Sequence, residues 1–456
     1  MKQEKRVSAW ELAAFAAPAA PLLALTLPTV MFLPPHFIEH VGLDEAVVGL
    51  IFLGARLFDI VLDPMLGSLQ DRTETRWGRR RVWLAACTPF LMAFIWWVFI
   101  ALPPGASVAG SSAAVFLMYF VFAAMMVAHL SWSGEIVPTY HGRTRSLGAV
   151  QAASLVGQTI MLVMAGVVVQ VLGGGNADAV QAMGWVLIVM LPLTVAIACF
   201  GARERRVPPQ PHLSVRKALA TLVENKVVRR VLIPDLLLGV SQGVSGGLFL
   251  FYFQYILGFV REAQTLAAIY FVAGLIGVPI WWTLGRKLGK HRALQAAFLY
   301  TAATTALLLV LPPGAFTATA AFMIAAGLAQ GGCILLSRAM MADVVDEDEV
   351  RTGSRRSGLY FGLLLLTSKV GLAAGPLAFV ALQLAGFSAR LGADNTPQAM
   401  AVLAGLFIGV PILLCVLATL NLRKYPLDEA AQTKLHAAIE ARHAANSENT
   451  LGPSTK

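Results

Sequence analysis

Two aspartates, Asp59 and Asp63, stand four residues apart in an otherwise apolar run from Val48 to Gly67. An i, i+4 spacing puts both carboxylates on one face of a helix, one turn apart. In lipid, each charge costs at least ~2.5–3.5 kcal/mol at the bilayer centre, and a second like charge adds to that. Such a pair faces a cavity and holds a proton, a cation such as Na⁺, or a basic side chain. A third charge has the same character. Lys369 sits between apolar Gly362–Thr367 and Val370–Pro376, too deep to snorkel to the surface. Two carboxylates and an ammonium inside apolar segments suit ion-coupled transport. The chain shows no Ser/His/Asp, zinc-type or phosphate-loop constellation that would make it an enzyme, and no cofactor is implied.

The elements that carry these residues follow from composition. Of 456 residues, 57% are hydrophobic and 13% charged, and the mean hydropathy is +0.70. A soluble chain of this length does not bury so much apolar surface, whereas a helical membrane protein has no need to. Apolar runs long enough to span a bilayer fall near 12–37, 46–69, 82–102, 112–137, 148–172, 182–200, 231–258, 263–284, 293–311, 317–342, 358–385 and 399–420. The expected class is therefore an all-α integral membrane protein with twelve transmembrane helices in two six-helix bundles. The expected boundaries are 1–200 for the first bundle, 201–230 for a central loop, 231–425 for the second bundle and 426–456 for a tail. The tail reads as a modest amphipathic helix, Leu427 to His443, and then a polar, disordered segment. The four cysteines, Cys87, Cys199, Cys333 and Cys415, lie scattered in apolar runs and read as packing residues.

The basic residues settle orientation. Of the 35 lysines and arginines, 30 fall at the termini, in the central loop or in the loops after spans 2, 4, 8 and 10. Only Arg261 and Arg390 fall on the other side, and Arg56, Arg338 and Lys369 lie within spans. By the positive-inside rule both termini and the central loop are cytoplasmic. The net charge of +10 is thus topological, and no nucleic-acid partner is implied. The N-terminal run lacks a small-residue cleavage site and reads as a first span. The expectation is a monomeric multi-pass protein of a bacterial inner membrane whose partners are the lipid bilayer and a small-molecule substrate.

Six spans, a basic loop and six more spans is the plan of the major facilitator fold, with halves related by an axis along the membrane normal. An internal echo supports it: Gly67-Ser-Leu-Gln-Asp-Arg72 with Gly78-Arg-Arg-Arg81 follows span 2, and Gly285-Arg-Lys-Leu-Gly-Lys290 follows span 8. Three stretches resemble the glycoside–pentoside–hexuronide:cation symporter family within that superfamily. They are Arg56-Leu-Phe-Asp-Ile-Val-Leu-Asp-Pro-Met-Leu-Gly67 continuing to Trp77-Gly-Arg79, Gly134-Glu-Ile-Val-Pro-Thr-Tyr-His-Gly-Arg-Thr-Arg145, and Ala342-Asp-Val-Val-Asp346 through Gly353-Ser-Arg-Arg-Ser-Gly358 to Ser368-Lys369.

The resemblance implies that Asp59 and Asp63 bind the coupling cation, that Lys369 partners them, and that Arg56, Asp71, Arg79, Glu135, Arg143, Arg145 and Asp343 form a cytoplasmic latch. It implies symport of a sugar or glycoside. Departures narrow this. Where the melibiose branch has a polar cation contact and a hydroxyl, this chain has Leu62 and Ala123, which favours H⁺ over Na⁺ because a proton needs only one carboxylate. The sugar-binding acid and base of spans 4 and 5 fall at Met126 and Gln151, and the acid of span 1 falls near Leu23. Span 1 instead carries Pro18, Pro21, Pro28, Pro34 and Pro35, which predict breaks in its helix. Cavity candidates are Met126, His129, Trp132, Gln151, Gln242, Gln254 and Tyr360. Asp235, near Arg229 and Arg230, reads as an interfacial ion pair. An apolar span 1 also suits an amphiphilic solute such as a lysolipid, the alternative substrate class. Two halves with an ion-pair network favour alternating access over a continuous pore.

Overall fold

The computed structural model describes residues 8–136, 140–204, 225–352, 357–423 and 425–427. The expected tail helix therefore lies outside the described residues, as does most of the central loop. Among the described residues all regular structure is helical, in twelve successive segments. These are α1 (9–41), α2 (Glu45–Asp71), α3 (Arg80–Ala101), α4 (Val108–Ile136), α5 (140–171), α6 (Asn176–Gly201), α7 (Lys226–Ile256), α8 (Ala263–Leu288), α9 (290–309), α10 (Phe316–Thr352), α11 (357–384) and α12 (Pro397–Leu422).

Ten of the twelve are long and apolar enough to cross a membrane by themselves. The exceptions are α2 and α9. Any 18-residue stretch of α2 contains Arg56, Asp59 and either Glu45 or Asp63, so it carries more charge than the other spans. The α-helical part of α9, Lys290–Ala306, is only 17 residues long and opens on Lys290, His291 and Arg292.

The prolines of α1 act as expected. The segment is broken into Ala9–Ala16, Ala19–Ala24, Thr26–Met31 and Leu33–His36 before a π-helical turn at Phe37–Val41, because each proline removes one i→i−4 hydrogen bond. α10 runs ten residues past the expected end at 342. Its extension, Asp343 to Thr352, is mostly polar, and Arg351 pairs with Asp348 at 3.3 Å, an i, i+3 pair.

Small residues let the second half pack tightly. Gly239 and Gly243 of α7 meet Gly371 and Gly375 of α11, both pairs at i, i+4 spacing. A Cβ on Gly371 would lie 2.6 Å from the Leu236 carbonyl oxygen, and one on Gly375 would lie 2.5 Å from Gly243. Backbone on backbone at this distance admits only glycine.

The halves are joined at the end of the bundle away from the termini. There one apolar core runs through both, with Phe37 and Phe52 from the first half and Phe251, Tyr252, Phe379 and Phe387 from the second. Phe37 lies edge-on to Phe52, and Phe251 to Phe379. At the terminal end the second half has a core of its own, around Phe298, Met340, Met341, Val344 and Tyr360.

Candidate functional site

α2 begins after Asp44, whose extended backbone starts the helix, and buries a stripe through Ala55, Asp59, Leu62, Leu66 and Gln70. Asp59 thus points along the packed face, and Asp63 lies one turn on at its edge. Pro64 follows directly and leaves the Ile60 carbonyl without its helical partner. The glycine contacts with α7 fix α11, and α11 carries Lys369 to these carboxylates from the other half. Its Nζ donates to Asp59 Oδ2 at 2.9 Å and to Asp63 Oδ2 at 2.6 Å. The Asp59 side chain is 10% exposed, against 31% for Asp63 and 35% for Lys369. One flank of the triad is therefore packed and the other is part-exposed.

The second oxygens carry the chemistry. Asp59 Oδ1 and Asp63 Oδ1 are both buried and make no hydrogen bond. Two orphaned anionic oxygens beside a shared ammonium are a place for a cation. The wall behind them is apolar: Leu62, Leu66, Ala123 and Ala124 form one small buried cluster with Trp83 and Cys87 packed against it. The side chains of Leu62 and Ala123 in this cluster carry no oxygen that could ligate a cation.

Asp235 of α7 braces the lysine. Its Oδ2 accepts hydrogen bonds from Thr367 Oγ1 and Ser368 Oγ, each at 2.8 Å, so the two residues before Lys369 are held to α7. This corrects the expected pairing of Asp235 with Arg229 and Arg230; Arg230 instead donates to the Asn421 carbonyl. The run Thr367-Ser368-Lys369 is a signal in the sequence for this clamp, but its partner is 132 residues away.

Other candidates divide. Gln151 of α5 is exposed and faces Arg338 of α10 across the two halves at 3.5 Å. Met126 and Gln242 are half-buried. His129 and Trp132 belong to the packed wall instead. His129 Nε2 lies 2.9 Å from the Phe15 carbonyl oxygen with its ring stacked on Phe15, and Trp132 is fully buried edge-on to the same ring. Tyr360 is fully buried in the core of the second half. Gln254 lies at the sealed end, where its Nε2 donates to Asn176 Oδ1 at 3.3 Å. All four are buried, since a polar atom at the tip of a large side chain is compatible with burial of the rest.

The sealed end is cross-linked by polar groups that sequence reading missed. Tyr255 Oη donates to Glu39 Oε1 at 2.6 Å, the Ala389 amide to Glu45 Oε1 at 2.8 Å, and Arg390 Nη2 to the Gly42 carbonyl at 3.0 Å. Each bond joins the first half to the second.

Of the expected latch, Asp71 pairs with Arg80. The backbone amides of Arg79, Arg80 and Arg81 all donate to the Glu204 carboxylate, at 2.6–3.1 Å. Glu204 thus caps the start of α3, where unpaired amides and the helix dipole favour an anion. Gly78 permits this: its φ is +108°, and a Cβ there would stand 2.1 Å from Glu204 Oε2. In the second half Lys290 Nζ donates to Asp343 at 2.5 Å. Arg56 does not belong to this group. It is half-buried fifteen residues before Asp71, beside Thr29, Gly243, Leu372 and Gly375. The side chains of Glu135, Arg143 and Arg145 lie outside the described ones.

Comparison with known proteins agrees with this architecture. The family model for MFS/sugar transport proteins matches residues 14–429. The inner membrane symporter YicJ of Escherichia coli (strain K12) is 26% identical over 409 residues, covering 87% of each chain. The sodium-dependent lysophosphatidylcholine symporter 1 of Gallus gallus is 21% identical over 486 residues, covering 96% of this chain and 90% of that one. Among solved structures, the nucleoside transporter NupG superposes with a TM-score of 0.67 at 12% identity, covering 92% of this chain and all of NupG's 100%, a likeness of fold. The chain belongs to the MFS/sugar transport proteins and, within the major facilitator superfamily, to the glycoside–pentoside–hexuronide:cation symporter family.

Proposed function

We propose that this chain is a secondary active transporter that couples the movement of a cation, a proton in preference to Na⁺, to symport of a sugar or glycoside by alternating access. The observation that carries it is the Lys369 ammonium shared between Asp59 and Asp63 across the two halves, beside two buried, unpartnered carboxylate oxygens. A cation arriving at those oxygens competes with Lys369. Once neutralised, the carboxylates hold the lysine less tightly, and a bond between the halves is loosened. Ion binding is thereby tied to relative movement of the bundles.

The positive-inside distribution of lysine and arginine supports cytoplasmic termini and a cytoplasmic central loop, and the Escherichia coli relative supports a bacterial inner membrane. The end sealed by Glu39, Glu45 and Arg390 then faces outward, and the part-exposed triad is reached from inside. The proton reading is supported by the apolar wall of Leu62 and Ala123. A lysolipid or other amphiphilic solute is the second reading, favoured by the apolar, acid-free α1 and by the resemblance to the Gallus gallus symporter.

The test is uptake into proteoliposomes under imposed gradients. Uphill accumulation should follow a pH gradient and be lost in Asp59→Asn and Asp63→Asn, with counterflow exchange retained. Accumulation that tracks Na⁺ and ignores pH overturns the proton. Normal accumulation in either variant removes that aspartate from the coupling site. A panel of neutral glycosides and lysolipids separates the two solute classes.

A further inference from the structure

We propose that a cavity at the terminal end of the second half binds an anionic phospholipid of the bilayer, with its phosphate on Arg286 and Lys290 and an acyl chain along α8. The lipid is held at the edge of the carrier and is not its cargo, so the proposal is independent of the solute and of the coupling cation. The cavity measures about 320 Å³ and lies where the end of α8, the turn into α9 and the middle of α10 meet. α8 and the turn contribute Trp282, Arg286, Lys290 and His291, and α10 contributes Leu335 and Ala339. It shares no residue with the site of Asp59, Asp63 and Lys369.

The basic groups of the cavity have donors to spare. Arg286 is exposed, and among the described residues it makes no ion pair or hydrogen bond. Its guanidinium carbon lies 5.0 Å from the centre of the Trp282 ring. A guanidinium set over an aromatic ring keeps N–H donors that match two oxygens of one phosphate. Lys290 Nζ donates to Asp343 at 2.5 Å, which uses one of its three protons. The first half shows what the same place in the repeat otherwise holds. There Glu204, three residues past the end of α6, caps the start of α3 after the turn at Gly78. The residue three past the end of α12 is Tyr425, whose ring lies 5.8 Å from that of His291. α9 starts at Gly289, which has no side chain to cap it. The first half supplies its own anion, whereas the second places a tyrosine there and a basic cavity beside it.

The face of α8 leading to the cavity selects a lipid over free phosphate. Leu275, Pro279, Trp282 and Arg286 follow at i, i+4, i+7 and i+11, on one side of the helix, and all four are exposed. On a helix of membrane-spanning length and hydropathy such an apolar stripe is covered by acyl chains. A tryptophan near the end of a span marks the headgroup level. The stripe is thus apolar, then aromatic, then cationic, which is the order of chain, interface and phosphate in a phospholipid. Arg286, Lys287, Lys290 and Arg292 cluster in this turn, on the side that the positive-inside reading assigns to the cytoplasm. Basic pockets between transmembrane helices at that surface suit anionic headgroups.

The experiment is native mass spectrometry of the purified full chain in detergent, titrated with phosphatidylglycerol and phosphatidylcholine of identical chains, with inorganic phosphate as competitor. Phosphatidylglycerol should be retained in preference to phosphatidylcholine, and excess inorganic phosphate should not displace it. Arg286→Gln should weaken phosphatidylglycerol about fivefold, the share of one basic residue facing anionic lipid. Ala339→Leu, which keeps every charge and fills the cavity, should weaken it as well. Lys287→Gln removes the same charge from the same turn but outside the cavity, and should leave binding unchanged. Equal retention of the two lipids, or phosphatidylglycerol binding unchanged in either cavity variant, overturns the proposal. Displacement by inorganic phosphate would make this a site for the free ion, and an equal loss in Lys287→Gln would reduce it to diffuse surface charge; either result overturns it too.

Discussion

Lys369→Ala isolates the part of the mechanism that the geometry defines best. The ammonium makes two charge-assisted hydrogen bonds, at 2.9 and 2.6 Å, to carboxylates on the other half. A hydrogen bond to a charged group contributes about 1.5–3 kcal/mol. With Lys369 and Asp63 each about one-third exposed, the lower end applies, giving ~3 kcal/mol for the two bonds together. A coupling cation competes against that interaction. Removing the lysine should therefore raise the affinity of the carboxylates for the cation by roughly 100-fold, since each 1.4 kcal/mol is tenfold. The cation would then be held through the cycle, and the halves would lose the bond that resets them when the site is empty. The expected phenotype is exchange without net transport: counterflow of labelled for unlabelled solute persists in proteoliposomes, while uphill accumulation falls to background. A Lys369→Ala carrier that accumulates solute at the normal level would refute the reasoning, because the cation would then have no competitor to displace.

Two further outcomes concern the scaffold. Gly371→Ala should lower the melting temperature in detergent, because its Cβ would meet the Leu236 carbonyl at 2.6 Å and overpacking costs typically about 1–3 kcal/mol. Gly362→Ala, on the same helix with nothing within 4 Å, is the control and should leave melting unchanged or raise it. Glu204→Gln should lower melting by an amount equivalent to about 1 kcal/mol, since it removes the charge that three backbone amides at the start of α3 share; unchanged melting would show that the neutral amide caps the helix as well.

The topology was open to reading because it follows from one-dimensional signals. Apolar runs of bilayer length gave the twelve segments, and the asymmetry of arginine and lysine gave their expected orientation. The Asp59/Asp63 pair was conspicuous for the same reason: a charge in an apolar run is costly wherever the run sits. What the spacing in one helix does not contain is the rotation of its neighbours. Tyr360 carries a polar tip but sits in the core of the second half, whereas His129 and Trp132 pack against Phe15 as interior residues do. Asp235 looked like a partner for arginines close by in sequence, but α11 brings two hydroxyls to it first. The glycine contacts had a visible trace in the matched i, i+4 pairs Gly239/Gly243 and Gly371/Gly375. The Glu204 cap had none, because it depends on where α6 ends in space relative to the turn at Gly78.

The charge carried in one transport cycle leads to a last prediction about the membrane potential. One coupling cation carried with a neutral glycoside would move one positive charge per cycle, and that movement is worth about 2.3 kcal/mol per 100 mV. The same cation carried with a monoanionic solute would move none. Initial uptake of an anionic solute under a fixed pH gradient should therefore be the same with the potential clamped by potassium and valinomycin at zero or at −100 mV inside. A neutral glycoside, if carried at all, should be accelerated by the negative interior. Strong acceleration of the anionic solute would mean that more than one cation accompanies it, and coupling to a single cation at the aspartate pair would have to be abandoned.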